Sequence, residues 1–309
     1  MDLLVMFGRF APTPSADLHL GNLRTAVVAW LTARASGRGF LIRIEDLDQP
    51  RLPQADTIAA RQLADLATLG IDHDQTVVRQ RDRTDRYVAA LAGLDGLIYE
   101  CFCSRKDVAE ATRAPHGATA HYPGTCRHLS PTERDRRRRI RPPAWRINAD
   151  AAQMSVTDLL HGQYSATVDD FIVRRADGVF SYNFAVVVDD GLQEVDQVVR
   201  GEDLLESAPR QAWLAHQLGL PVPNYLHVPL VLATDGSRLA KRDRSASLDG
   251  LGTTGISASA VLSHIASSLG LTQPGEPVKL PELVERFDPT ALPRQPWLVD
   301  PSSWVTSDR

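Results

Sequence analysis

Hydrophobic and polar positions along the chain alternate between two periods. Residues 3–10 form a largely apolar run, as in a strand buried on both faces. A polar turn follows, and residues 20–35 then predict a helix. Residues 38–45 alternate, with Phe40, Ile42 and Ile44 on one face and Leu41, Arg43 and Glu45 on the other. That strand runs into Glu45-Asp46-Leu47-Asp48. Amphipathic helices are predicted over 54–69, stopped by Gly70, and over 84–95. Strands alternating with helices imply half of a parallel sheet wound with helices. Residues 96–145 break the rhythm and read as an inserted module. Phe171 to Arg174, a turn at Asp177-Gly178 and Phe180 to Val188 predict a hairpin. Residues 195–200 predict a further strand, and a helix follows over about 206–218. A second sheet half would end near 232. Residues 234–250 read as a loop, 257–269 as a helix, and the tail from Pro289 shows no pattern. The fold class expected is α/β, a doubly wound, Rossmann-like parallel sheet. The expected division is residues 1–95 and 191–232 for the two halves of the sheet domain, 96–190 for the insertion, and 233–309 for a loop and helical stem.

Composition changes this picture little. The 309 residues can bury a sizeable core, with 43% hydrophobic and 23% charged residues, the balance of a soluble globular enzyme. No run approaches the ~20 apolar residues of a membrane span, and the first residues lack a basic export signal, so a cytoplasmic protein is expected; the sequence does not report oligomeric state, and monomer is the default. A net charge of −4 does not advertise a nucleic-acid partner, which would need a local basic face. Lys106, Lys241 and Lys279 are the only lysines, so an arginine cluster such as 134–139 reads equally as a phosphate contact or as a solvated loop.

The candidate chemistry lies at predicted strand ends. His19 and the backbone of Gly21 fall between the first strand and the first helix, where unpaired N–H groups and the helix dipole attract phosphates. Lys241 lies in a polar loop after the last predicted strand. A histidine and a distant loop lysine suit cleavage of ATP between its α and β phosphates. Arg9 and Arg200 end strands and suit carboxylates, Glu45 suits an ammonium, and Tyr182 can donate a phenolic hydrogen bond. Cys101, Cys103 and Cys126 share one short segment, which suits a metal site with one further ligand. Spacing leaves that ligand open among Tyr122, His116, His121 and His128.

Four blocks then carry a family resemblance. They are Arg9-Phe-Ala-Pro-Thr-Pro with Leu18-His-Leu-Gly-Asn22, and Ile42-Arg-Ile-Glu-Asp-Leu-Asp-Gln-Pro-Arg51. The others are Asp189-Asp190 with Val198-Val-Arg-Gly-Glu-Asp-Leu204, and Arg238-Leu-Ala-Lys-Arg242. In this order they resemble the class I glutamyl-tRNA synthetases over residues 1 to about 250. Some 70 residues follow the lysine block, which leaves no room for that family's anticodon-binding domain. The chain is therefore most similar to the short glutamyl-Q tRNA(Asp) synthetase family. The resemblance implies tRNA-independent activation of L-glutamate by ATP with Mg²⁺, then transfer of glutamate to queuosine in the anticodon loop of tRNA(Asp). It implies a glutamate pocket of Arg9, Phe10, Ala11, Pro12, Thr13, Glu45, Tyr182 and Arg200. The ATP site would comprise His19, Gly21, Asn22 and Lys241, with His19 and Lys241 catalytic. One structural Zn²⁺ on Cys101, Cys103, Tyr122 and Cys126 is also implied. Asn22 and Ala240 depart from the family pattern, and Ala240 removes a hydroxyl near the phosphates. Two alternatives are a truncated glutamyl-tRNA synthetase that charges the tRNA 3′ end, and a catalytically decayed zinc- and RNA-binding paralogue.

Overall fold

The computed structural model describes residues 6–104, 106–108, 122–239 and 246–304. Lys241, Ala240, Arg242, His116 and His121 lie outside the described residues.

Strand β1 (Phe7–Phe10) runs parallel to β2 (Gly39–Ile44) on one side and to β9 (Val195–Gly201) on the other. Strand β2 pairs with β3 (Val78–Arg79), and β9 pairs with β10 (Asn224–Val228). The antiparallel hairpin of β6 (Gln153–Asp158) and β7 (Gly162–Thr167) extends the sheet beyond β10. The order is therefore β3-β2-β1-β9-β10-β6-β7. Chain order reverses between β1 and β9, which opens a crevice at the strands' carboxyl ends.

Helix α1 (Leu20–Ala35) crosses from β1 to β2 and is buried nearly all round, from Leu20 and Leu23 to Leu31 and Ala33. A helix apolar on every face belongs inside a core. It lies so close to β1 that a Cβ at Gly8 would stand 2.8 Å from the Ala33 Cβ, which only glycine avoids. Helices α2 (Ala55–Thr68) and α3 (Thr84–Ala92) follow, near the expected bounds. No described helix is long and apolar enough to cross a membrane.

The second arm of the expected 168–190 hairpin is a helix. Strand β8 (Ile172–Arg174) ends at the predicted turn, and Phe180 makes only an isolated bridge back to Arg174. Ser181 then caps the helix Tyr182–Leu192, its hydroxyl accepting from the Phe184 amide. The run Phe184–Val188 is buried on every side, and a fully buried helix and a fully buried strand share that pattern. Strand β8 joins β4 (Ile98–Cys101) and β5 (Ala144–Ile147) in a separate antiparallel sheet of order β4-β5-β8. The arginine run is helical, not a loop. Helix Pro131–Arg138 sets Arg136 and Arg137 on Glu133, and Arg138 on Glu100 and Asp135. The tail also has structure, because β12 (Trp297–Val299) pairs in parallel with β11 (Val231–Ala233).

Candidate active site

The crevice is a cavity of about 660 Å³. Its lining gathers the residues expected at strand ends: Arg9 and Phe10 from β1, Ala11, Pro12 and Thr13 beyond it, Glu45 after β2, Arg200 from β9, and Tyr182. His19, Gly21 and Asn22 line it at the start of α1. The Glu45 amide donates to the Pro12 carbonyl at 2.9 Å, which ties the turn after β1 to the end of β2. The side-chain amide of Gln62 on α2 holds the same turn through the carbonyls of Thr13 and Ala16.

His19 does more than face the cavity. Its Nδ1 accepts from the amides of Gly21 and Asn22 at 3.1 and 3.3 Å, and the Asn22 side chain accepts from the His19 amide. These two amides, expected to be unpaired, are therefore met by the ring. The capping fixes the tautomer, with the proton on Nε2 as a donor. Gly21 permits it, since a Cβ there would come within 2.9 Å of the His19 ring. The described ends of the lysine-bearing segment lie close by. Arg238 bridges to Leu232 and pairs with Asp203, while Ser247 bridges to His19.

Beneath the pocket is a buried charge network that the sequence only hinted at. Arg43, next to the carboxyl end of β2, is fully buried and meets Asp190 at 2.8 Å, Glu45 at 3.3 Å and Asp189 at 3.7 Å. Arg9 meets the same Asp190 at 3.4 Å. Asp189 accepts from Gln80, Arg83 and Tyr87. Burial alone would raise Asp190, but Arg43 and Arg9 outweigh it and hold this carboxyl below its ordinary range. The balance differs at Glu45, where burial outweighs Arg43 and Arg9 and pushes the carboxyl up to about 7. The hint in the sequence was Arg43 itself, a charge inside an otherwise apolar strand.

Arg200 is held differently. Its Nε donates to His227 Nε2 at 2.9 Å, one terminal nitrogen to Gln211 Oε1 at 2.7 Å, and the other to the Leu204 carbonyl at 3.3 Å. All three acceptors are neutral, and no carboxylate among the described residues touches this buried guanidinium (5% exposed). Asp158, His227 and Gln211 had no local signal in the sequence.

The sulfur atoms of Cys101, Cys103 and Cys126 lie within 4.8 Å of one another, a cluster able to hold a metal ion. The Tyr122 hydroxyl is 3.3 Å from the Cys101 sulfur and 3.6 Å from that of Cys103, and Cys103 is 3.6 Å from Cys126. A tetrahedral zinc centre with three sulfurs and one oxygen has edges of about 3.5–3.8 Å, so these donors fit. Tyr122 is buried among the cysteines, whereas His128 is exposed. Arg146 stacks 3.7 Å over the Tyr122 ring and donates to the Cys101 sulfur at 3.3 Å. A hydrogen bond with Cys126 is the largest influence on the Cys101 thiol. With help from Tyr122 and Arg146, and against burial, it pulls the thiol below its ordinary value.

Comparison with known proteins agrees with this geometry. Residues 6–302 match the family described as tRNA synthetases class I (E and Q), catalytic domain. The chain is 55% identical over 295 residues to a glutamyl-Q tRNA(Asp) synthetase of Nocardia farcinica, covering 94% of this chain and 92% of the relative. It is 49% identical to one from Cutibacterium acnes, covering 92% and 82%. A crystal structure of a glutamate tRNA ligase from Elizabethkingia meningosepticum in complex with its amino acid superposes with a TM-score of 0.81. Its sequence identity is 22%, and the match covers 97% of this chain and 68% of that one. By sequence, fold and crevice, the chain belongs to the class I tRNA synthetase family and, within it, to the glutamyl-Q tRNA(Asp) synthetases.

Proposed function

We propose that this chain activates L-glutamate with ATP, without tRNA, and transfers the glutamyl group to queuosine in tRNA(Asp). The observation that carries the reading is the pairing of a cation and an acid in one crevice. Among the described residues Arg200 is a buried guanidinium with only neutral partners, and Glu45 is a buried carboxylate lining the same crevice that suits an ammonium. Glutamate brings a carboxylate for Arg200 and an ammonium for Glu45.

In the first step an α-carboxylate oxygen attacks the α-phosphorus, and the bond to the bridging oxygen of pyrophosphate breaks. The nucleophile is already an anion and needs no base. The protein's part is alignment and charge screening. Arg9, the turn through Phe10, Ala11, Pro12 and Thr13, Glu45, Tyr182 and Arg200 hold glutamate. His19, through Nε2–H, faces the phosphates together with the α1 start at Gly21 and Asn22, and Lys241 neutralises the departing pyrophosphate. Mg²⁺ accompanies ATP. In the second step a queuosine hydroxyl attacks the carbonyl carbon and AMP leaves.

Cys101, Cys103, Cys126 and Tyr122 would hold one Zn²⁺. Four protein ligands close its shell, so it would supply rigidity to the β4-β5-β8 unit and no chemistry. The test is glutamate-dependent ATP–pyrophosphate exchange in the absence of tRNA. Exchange supports the reading. Exchange only with tRNA added points to an ordinary glutamyl-tRNA synthetase, and no exchange under either condition refutes glutamate activation.

A further inference from the structure

Arg200 and His227 are register partners on the parallel strands β9 and β10, and Tyr225 of β10 is paired with Asp158 of β6. A line of side chains crosses these three strands. His227 Nε2 accepts from Arg200, so the ring proton sits on Nδ1, and Nδ1 donates to Asp158 Oδ2 at 2.7 Å. Asp158 also accepts from the amides of His227, Leu160 and His161. Asp158 and His227 are buried, and a second proton on the ring would set its Nε2–H against the Arg200 Nε–H. Burial first, with Arg200 adding to it against the pull of Asp158, holds the imidazole below its ordinary value. The ring is neutral and its tautomer fixed.

We propose that Asp158 and His227 are positioning residues that aim Arg200, as a cation with no carboxylate of the described residues against it, at the side-chain carboxylate of glutamate. This rests on the glutamate-activating reading above. The α-carboxylate loses its charge on becoming an anhydride, whereas the side-chain carboxylate keeps its charge throughout. A lasting anion needs a cation that is not already neutralised. Arg9 faces Asp190, and Arg43 faces Asp189, Asp190 and Glu45. Arg200 faces an imidazole, an amide and a carbonyl. A glutamine substrate would leave that buried charge unanswered, so the relay serves the choice of glutamate over glutamine.

Three variants test this by ATP–pyrophosphate exchange with either amino acid. His227→Asn keeps a donor at the Nδ1 position, and so keeps the bond to Asp158, but has nothing at the Nε2 position. His227→Gln restores an acceptor there. Gln211→Glu leaves His227 alone and sets a carboxylate against Arg200. His227→Asn is expected to raise the KM for glutamate about ten-fold or more, to narrow the preference over glutamine similarly, and to hold the KM for ATP within about two-fold. His227→Gln should recover most of that KM. Gln211→Glu should raise the glutamate KM at least as far, and if His227→Asn does not fold it still tests whether Arg200 must face no carboxylate, the premise on which the relay depends. An unchanged glutamate KM in His227→Asn, or an ATP KM that rises in step with it, overturns the relay. An unchanged preference in Gln211→Glu does the same. A wild-type protein without glutamate-dependent exchange overturns the parent reading and this inference with it. Normal wild-type exchange beside unaffected variants overturns this inference alone.

Discussion

Glu45 should cost the protein stability in return for its place in the pocket, and the cost should depend on pH. Its carboxyl rises from an ordinary 4.5 to about 7 in the folded chain, burial outweighing Arg43 and Arg9. A raised carboxyl pKa means that the folded state holds its proton longer than the unfolded state. The group is therefore harmless below about 4.5, and stability falls as pH rises through about 7. At about 1.4 kcal/mol per unit, the full penalty is about 3 kcal/mol at pH 8, and under about 1 kcal/mol remains at pH 5. Glu45→Gln keeps the shape and removes the charge. In urea denaturation, the variant should gain about 2–3 kcal/mol on wild type between pH 5 and pH 8. The same variant should raise the KM for glutamate ten-fold or more at pH 8, because the substrate ammonium loses its counter-charge. Wild type itself should lose glutamate affinity as pH falls below about 7, where Glu45 takes up its proton. If the stability of the two proteins runs parallel from pH 5 to pH 8, the buried, reluctant carboxylate is refuted.

Other outcomes follow from the same geometry. Lys241→Ala should lower pyrophosphate exchange about a hundred-fold or more while the circular dichroism spectrum stays unchanged. Tyr122→Phe should weaken zinc retention against a chelator about ten-fold or more, whereas His121→Ala should leave one zinc per chain by elemental analysis. Asp189→Asn strips a charge from a site that Arg83 and Arg43 share. It should cost about 3–5 kcal/mol in denaturant unfolding, because it leaves the fully buried Arg43 and the partly buried Arg83 short of a counter-charge.

Much of this was legible in the sequence wherever the cause is local. Helix α1 falls on its expected residues, because a long apolar stretch between a capping turn and a terminal serine has few other uses. Arg9, Glu45 and Arg200 were legible because strand ends are where an open α/β sheet binds ligands. The helix Tyr182–Leu192 was misread as a strand arm, because an all-buried segment carries no face periodicity. The sign available was Ser181 three residues before Phe184. Asp158 and His227 were not legible at all. Their bond joins β6 to β10, and no local spacing reports which distant strands will be neighbours. The charge of Arg43 was visible, but its three acids come from the residue just after β2 and from the Tyr182–Leu192 helix, and only the fold brings them together.

The pairing of β11 with β12 has a consequence for the order of events in synthesis. Val231–Ala233 leads into the segment that bears Lys241, and Trp297–Val299, its partner, is translated well afterwards. Until Trp297–Val299 leave the ribosome, one edge of β11, whose Val231 and Leu232 line the crevice, stays without its hydrogen bonds. Arg9, Glu45 and Arg200 are all translated before that pairing can form, so the strand-end residues of the crevice precede this part of its wall in synthesis.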